Sequence, residues 1–434
     1  MEMEKLADYE TAQGVYFVPQ EAVFMFTRMY HYRDDQQRNL QTARLGIDYA
    51  CPGQLFNHIP GASAFCRKDF LQYYMRDYQR RYEEIGLGQC YSRSITPTSL
   101  ILSWPTHCRK VLDILKTKSQ QYDANTWPLE YIMKDAVRHK GYGIKLVNHA
   151  YAQELLATYD SKAKFSCDKL RPEDQSVIMQ QYISTPALIE GRKFDFRVFA
   201  LIANADPLVA LWAPDNGHTR VSDQLFNGTS SDFTNHITAN VHVETEADFD
   251  FLKEHRFNLP ELADYFAGQI GDTEKWLKTV AYPAIKTILV HMFRASQQNF
   301  LIKRKGLFEF YGVDFILSDN LHDFYLLEAN RRPDVQEKNP KLQYREDMLI
   351  KDVSTLADWL HETRLRGDFE DLYERLDAFV PLIDETREDP YFGLLSTDCA
   401  QSFKDMNLEL PVDPMIEPLA THLGLSYSAR TDFS

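Results

Sequence analysis

The sequence predicts a mixed α/β (α+β) fold built on antiparallel sheet, and three observations carry that prediction. At 434 residues, 44% hydrophobic and 26% charged, the chain has an ordinary globular composition and length enough for two or three domains. Apolar runs of strand character alternate with stretches of helical period along its length. Near residue 320, two apolar runs, Phe308–Leu317 and Phe324–Asn330, flank the polar turn Ser318-Asp319-Asn320, as in an antiparallel hairpin.

The elements follow in order. Residues 1–115 read as an N-terminal α/β unit, with an apolar run Val15–Phe26, a Tyr- and Arg-rich helix Lys68–Glu84 and a short strand Leu100–Trp104. Polar Lys116–Asn125 marks a boundary. Residues 116–192 form a central unit, with strands Trp127–Lys134 and Gly143–Val147, a helix opening near His149, a charged linker Lys169–Gln175 and a strand Val177–Ile183. Residues 193–366 begin with the strongest strand signal, Lys193–Ala203, which turns through Asn204–Asp206 into Pro207–Trp212. Helices are expected at Ala247–Lys253, Leu259–Gln269 and Thr273–Gln297. The hairpin comes next, then an amphipathic helix Tyr344–Leu365 with Leu349, Val353, Leu356 and Leu360 at helical spacing. Residues 367–434 read as an acidic extension with a helix near Asp371–Phe379, packed on the surface or partly mobile.

A formal charge of −15 disfavours nucleic acid and anionic membranes as non-specific partners. The six cysteines show no CxxC pair or zinc-like spacing and suggest reduced thiols. The acidic start MEMEKLADYE is not a secretory signal, and no apolar run approaches bilayer-spanning length. A cytoplasmic protein is the expectation.

Chemistry concentrates in a few places. Asp314 and Glu328 interrupt the hairpin strands roughly opposite each other, and Asn330, two residues on, shares the face of Glu328. Facing carboxylates repel unless a cation lies between them, so the trio reads either as an all-oxygen site for a hard cation such as Mg²⁺ or as solvated carboxylates on an exposed face. In Gly191–Val198, Lys193, Asp195 and Arg197 alternate with Phe194, Phe196 and Val198, placing three charges on one strand face. That face is either solvated or supplied with partners, and a polyanion would serve Lys193 and Arg197. Lys134 ends a strand ahead of Lys140-Gly141-Tyr142-Gly143, where glycines permit close backbone approach to phosphate, or simply a hairpin turn. Arg220 is a further cation suited to two oxygens at once. P-loop, Rossmann, GxSxG, HExxH and kinase motifs are absent.

The succession of these pieces is more specific than any one of them. Lys134, the KGYG loop, Gln180-Gln181-Tyr182-Ile183, the KFDFR strand, Arg220, Thr234-Asn235-His236, YGVDF and LLEAN together resemble the tubulin tyrosine ligase and ligase-like family, and Gln54–Leu71 resembles its N-terminal domain. The likeness runs from about Gln54 to Leu360. It implies an ATP-grasp fold of N-terminal, central and C-terminal domains whose sheets sandwich ATP. It implies ATP contacts from Lys134, Lys140, Gly141, Gly143, Gln180, Gln181, Tyr182, Ile183, Lys193, Asp195, Thr234 and Asn235, and two Mg²⁺ on Asp314, Glu328 and Asn330. Arg197 and Arg220 would face the γ-phosphate or a substrate carboxylate. The implied reaction adds a free glutamate, glycine or tyrosine to a protein carboxylate through an acyl phosphate. The acceptor first expected is tubulin, at its C-terminal tail, in the cytoplasm beside the cytoskeleton. A non-tubulin protein, a small molecule and a non-catalytic nucleotide-binding scaffold are the alternatives. Three departures stand out: Gln181 replaces the usual Lys, acidic Asp135 follows Lys134, and Asp232-Phe233 stands where His-Leu is usual.

Overall fold

The computed structural model describes residues 24–25 and the range 55–399, apart from 60, 63–65, 91–94, 139–140, 160–163, 231, 239–250, 252–253, 301–304, 332, 334, 336–339, 364–365 and 397. Lys140, most of Val15–Phe26 and most of Ala247–Lys253 therefore lie outside the described residues.

Short strands β1 (Phe24–Met25) and β2 (Leu55–Phe56) pair in parallel. Helix α1 (Lys68–Glu84) follows, its Leu71, Tyr74, Met75, Tyr78 and Tyr82 buried at helical spacing. Strand β3 (Ser99–Ile101), helix α2 (Pro105–Gln121), strands β4 (Tyr131–Asp135) and β5 (Ile144–Leu146), helix α3 (His149–Thr158) and strand β6 (Val177–Gln181) form the next layer. Pro105 pre-sets the first turn of α2, and the Asn148 side chain caps α3 by accepting from the Tyr151 N–H. The sheet order is β3-β6-β4-β5, antiparallel throughout. The strand near residue 100, read from sequence as N-terminal, is thus the edge of the central sheet.

The larger sheet is organised by β7 (Leu188–Ile189), β8 (Arg192–Ala205), β9 (Leu208–Val221), β10 (Glu309–Leu317), β11 (Phe324–Arg331) and β12 (Val380–Asp384), in the order β11-β10-β8-β9-β12 with β7 beside β8. Strand β9 is longer than Pro207–Trp212, because the chain bulges opposite Arg197 and Phe199 and then resumes pairing through Arg220. One face of this sheet packs on α4 (Leu259–Tyr265) and α5 (Tyr282–Ser296), the other on α6 (Pro340–Glu362). Helix α4 opens with a reciprocal capping box between Asn258 and Glu261.

Two expectations are corrected. The acidic extension is not confined to the surface, since Ile383 and Leu382 of β12 are core residues and β12 completes the sheet edge beside β9. The cysteines are not all reduced thiols. Cys90–Cys399 and Cys108–Cys167 are disulfides, with Cα–Cα separations of 5.4 and 5.5 Å. Their sequence separations of 309 and 59 residues gave no spacing signal, and only tertiary packing brings them together. Cys66 keeps its thiol, whose pKa burial pushes up to about 12. Among the described residues no helix is long and apolar enough to cross a membrane.

Candidate active site

The ladder registers assemble the centre. Asp314 pairs with Glu328 on one side and with Arg197 on the other, while Asp195 pairs with Arg220. Period-two geometry therefore aims all five side chains at one face. Arg197 grips Asp314 with two of its nitrogens, Nε to Oδ1 at 2.8 Å and Nη2 to Oδ2 at 2.9 Å. Arg220 spans two carboxylates, donating from Nε to Asp195 at 2.6 Å and from Nη2 to Asp314 at 2.8 Å. The second oxygen of Asp195 accepts from the Thr238 hydroxyl. Gly312, opposite Asn330, makes room for this: a Cβ there would stand 3.1 Å from Arg197 Nε and 2.9 Å from Pro333 Cβ.

The facing carboxylates are drawn together by cations and an amide. Asn330 Nδ2 lies 3.1 Å from both Asp314 Oδ2 and Glu328 Oε1. Lys68, at the start of α1, reaches Glu328 Oε2 at 3.1 Å and donates to the Arg138 carbonyl at 2.9 Å. Burial pushes the Asp314 carboxyl up against the pull of Arg197 and Arg220. Burial acts the same way on Glu328, but Lys68, the Asn330 amide and Arg220 outweigh it and hold that carboxyl far below the usual range. Asp314, Glu328 and Asn330 are hard donors of the type a divalent cation takes, gathered around Asn330 Nδ2, with both Asp314 oxygens meanwhile held by Arg197, Arg220 and that amide.

A second cluster faces the first. Lys134 and Lys193 are 8% and 7% exposed, yet among the described residues neither ammonium is paired with a carboxylate. Lys134 donates to Gln180 Oε1 at 2.6 Å, and Gln180 is in turn fixed by Ser99 Oγ at 3.0 Å. Lys193 donates to the Tyr182 hydroxyl at 3.2 Å and lies 4.4 Å from the Tyr182 ring centre. Tyr182 is braced by His236 Nδ1 at 2.8 Å. Burial first, then the neighbouring Lys68, lowers the pKa of Lys134 to about 8; burial and Lys134 lower that of Lys193 to about 7.

The Tubulin-tyrosine ligase family model matches residues 48–362. The chain belongs to this family. Among curated relatives, it is 27% identical over 296 residues to the Probable tubulin polyglutamylase ttll-9 of Caenorhabditis elegans, covering 67% of this chain and 66% of that one. It is 29% identical over 214 residues to the Inactive polyglycylase TTLL10 of Homo sapiens, covering 47% and 31%. It is 24% identical over 327 residues to Tubulin glycylase 3A of Drosophila melanogaster, covering 73% and 29%. The chain thus spans less than two thirds of the length of each of these relatives.

The departures from the tubulin-tyrosine ligase pattern have local explanations. Asp135 is folded onto its own loop, accepting from the Val137 and Arg138 N–H groups at 2.9 and 3.2 Å. Its Cβ also requires glycine at 143, where an added Cβ would approach to 2.7 Å and φ is +76°. Gly141 shares that φ of +76°. Asp232 caps a short turn, accepting from the Thr234 N–H at 3.0 Å and hydroxyl at 2.9 Å. Thr234 and Asn235 therefore spend their polar groups locally, Asn235 on the Leu225 carbonyl at 3.1 Å. At the hinge, Gln181 is exposed and Ile183 half-buried. The Gln181 and Tyr182 N–H groups are taken by the Thr98 and Glu130 carbonyls. Lys68 and Thr238 were missed as site residues, and His236, though named in the Thr234-Asn235-His236 run, was given no role. They arrive from other elements, and only the Arg67-Lys68 part of the N-terminal likeness hinted at the first.

Proposed function

We propose that this chain is an ATP-dependent amino acid ligase whose two antiparallel sheets close on ATP as in an ATP-grasp fold. One observation carries the reading: Lys134 and Lys193 are buried and, among the described residues, in ion-pair contact with no carboxylate, beside a centre that already holds Lys68, Arg197 and Arg220. Buried ammonium groups without an ion-paired carboxylate are costly, and a polyphosphate supplies close counter-charge. In this reading Lys134 and Lys193 neutralise the phosphates, while Gln180 and Tyr182 hold their ammonium groups in place. An acceptor carboxylate oxygen attacks the γ-phosphorus, forming an acyl phosphate and ADP. The amine of the incoming amino acid then attacks the acyl carbon, phosphate leaves, and the amine gives up a proton. Arg197 and Arg220, locked by Asp314 and Asp195, present fixed N–H groups to the oxygens that gain charge in both steps. Asp314, Glu328 and Asn330 would hold Mg²⁺, which when bound offsets phosphate charge.

The relatives' names point to glutamate or glycine as the amino acid and tubulin as the acceptor. The test supplies labelled glutamate, glycine or tyrosine with tubulin or cell lysate, using Glu328→Gln as control. Glu328-dependent incorporation supports the ligase. Nucleotide binding without incorporation would assign the chain to the scaffold class instead.

A further inference from the structure

Cys399 lies beyond the residues that the family model matches, yet it is bonded to Cys90, which lies within them. Cys90 closes a short helical turn, Gly88–Cys90, just past the end of α1. The bond straps the C-terminal segment across α1 and α5. The Cys399 carbonyl accepts from the Tyr82 hydroxyl of α1 at 3.0 Å and from Arg294 Nη2 of α5 at 3.1 Å. Arg294 is fully buried, with Cζ 5.8, 5.7 and 4.9 Å from the ring centres of Tyr78, Tyr82 and Tyr391. Tyr391, Cys90 and Cys399 share one apolar core with these helices.

The other partner of the bond leads to the reacting centre. The Ile95 carbonyl accepts the Leu326 N–H of β11 at 2.9 Å, two residues before Glu328. Thr96 Oγ1 donates to Gln72 of α1 at 3.1 Å. The Thr98 carbonyl accepts the Gln181 N–H at 2.7 Å. Ser99 Oγ accepts from Gln180 Nε2 at 3.0 Å, and the oxygen of that amide holds the Lys134 ammonium at 2.6 Å. Residues 95–99 thus join β11, α1 and β6, which carry Glu328, its partner Lys68 and the anchor of Lys134. The chain enters this stretch from Cys90, and Cys399 pins Cys90. Both cysteines keep a little surface in solvent, 6% and 8%, which gives a small reductant access.

Resting on the ATP reading above, we propose that the Cys90–Cys399 bond is a redox latch on nucleotide binding. Oxidised, it holds residues 95–99 in the arrangement that receives nucleotide; reduced, it loosens them and weakens binding. The reductant is a dithiol. Its thiolate attacks one sulfur of the bond, and the other leaves as a thiolate and takes up a proton. The second thiol of the reductant then displaces the first protein sulfur, which is protonated in turn. The protein gains two thiols and the dithiol becomes a disulfide. The Cys108–Cys167 bond, which joins α2 to the chain after α3, serves as the internal control.

The test compares the oxidised full chain with the same protein treated with dithiothreitol, the freed thiols being counted by alkylation and mass spectrometry. Affinity for a fluorescent ATP analogue should fall on reduction by roughly tenfold, an ordinary size for coupling between two sites, and recover on reoxidation. Cys399→Ala, with the other disulfide intact, should bind like the reduced protein and no longer respond to dithiothreitol. Cys108→Ala with Cys167→Ala should respond as the wild type does. Hydrogen exchange in residues 95–99 and β11 should rise on reduction, with or without nucleotide. Equal affinity of the two redox states, a response that survives in Cys399→Ala, or a loss that reoxidation does not restore would each overturn the latch. If neither state binds the analogue, the ATP reading fails and exchange alone decides the latch: a rise on reduction keeps it, and no rise overturns it.

Discussion

Strand β8 carries two different chemistries on one face. Its first half offers Lys193, Asp195 and Arg197; its second offers Phe199, Leu201 and Ala203, all 0% exposed. The change falls at the bulge in β9, where Arg197 pairs with His218 but Phe199 with Ala213. Gly217 is needed there, since a Cβ would lie 2.4 Å from the Arg197 carbonyl oxygen. Beyond the bulge, α6 covers the face with Leu349, Val353, Leu356 and Trp359, and Phe199 stacks on Phe310 at 5.7 Å. Before it, the charged residues face one another across β8, β9, β10 and β11. The apolar half is fully buried and the charged half partly so, and one is held by apolar packing while the other is held by reciprocal charge. The second arrangement is costly to build and suits a site that receives charged ligands.

If the halves are distinct in kind, they should fail in distinct ways. Phe199→Ala should cost about 3–5 kcal/mol of stability, read as a lower denaturant midpoint, with nucleotide affinity preserved in the folded fraction. Equal losses of stability and affinity would erase the distinction. Glu328→Gln should do the reverse, lowering amino acid incorporation by roughly 100-fold or more while hydrogen exchange of β8 beyond Phe199 stays unchanged. Between them lies Gly312→Ala, whose added methyl meets Arg197; turnover should fall by roughly tenfold while the apolar half stays intact, as judged by hydrogen exchange of β8 beyond Phe199.

The smallest effect sharpens the electrostatic side. Folded Lys193 binds its proton at a pKa of about 7, against an ordinary 10.5. The unfolded chain therefore holds more protons across that window, and stability of the nucleotide-free protein should rise with pH from about 7 upward. Nucleotide restores the charged form, so binding should take up a proton near pH 8 and weaken by roughly three- to tenfold per pH unit above 7. Calorimetry in two buffers of different ionisation enthalpy reads the proton directly. Binding without proton uptake would mean that Lys193 does not meet the phosphates.

Much of this was legible in the chain. The opposition of Asp314 and Glu328 followed from hairpin register, and the shared face of Lys193, Asp195 and Arg197 from the period of a strand. Both are local rules that a few consecutive residues obey on their own. What tertiary structure alone decided were encounters between distant elements. Lys68 meets Glu328 across 260 positions of sequence, counting from their residue numbers. Thr238 closes on Asp195, and Gln180 turns its amide oxygen to Lys134. Cys399 finds Cys90, and β12 enters a sheet that the acidic composition of its surroundings did not announce. Period and register fix which way a side chain points from its own backbone. They say nothing of what another element brings to meet it, and at this centre the meeting of charges decides both the protonation of each group and the ligand the site can accept.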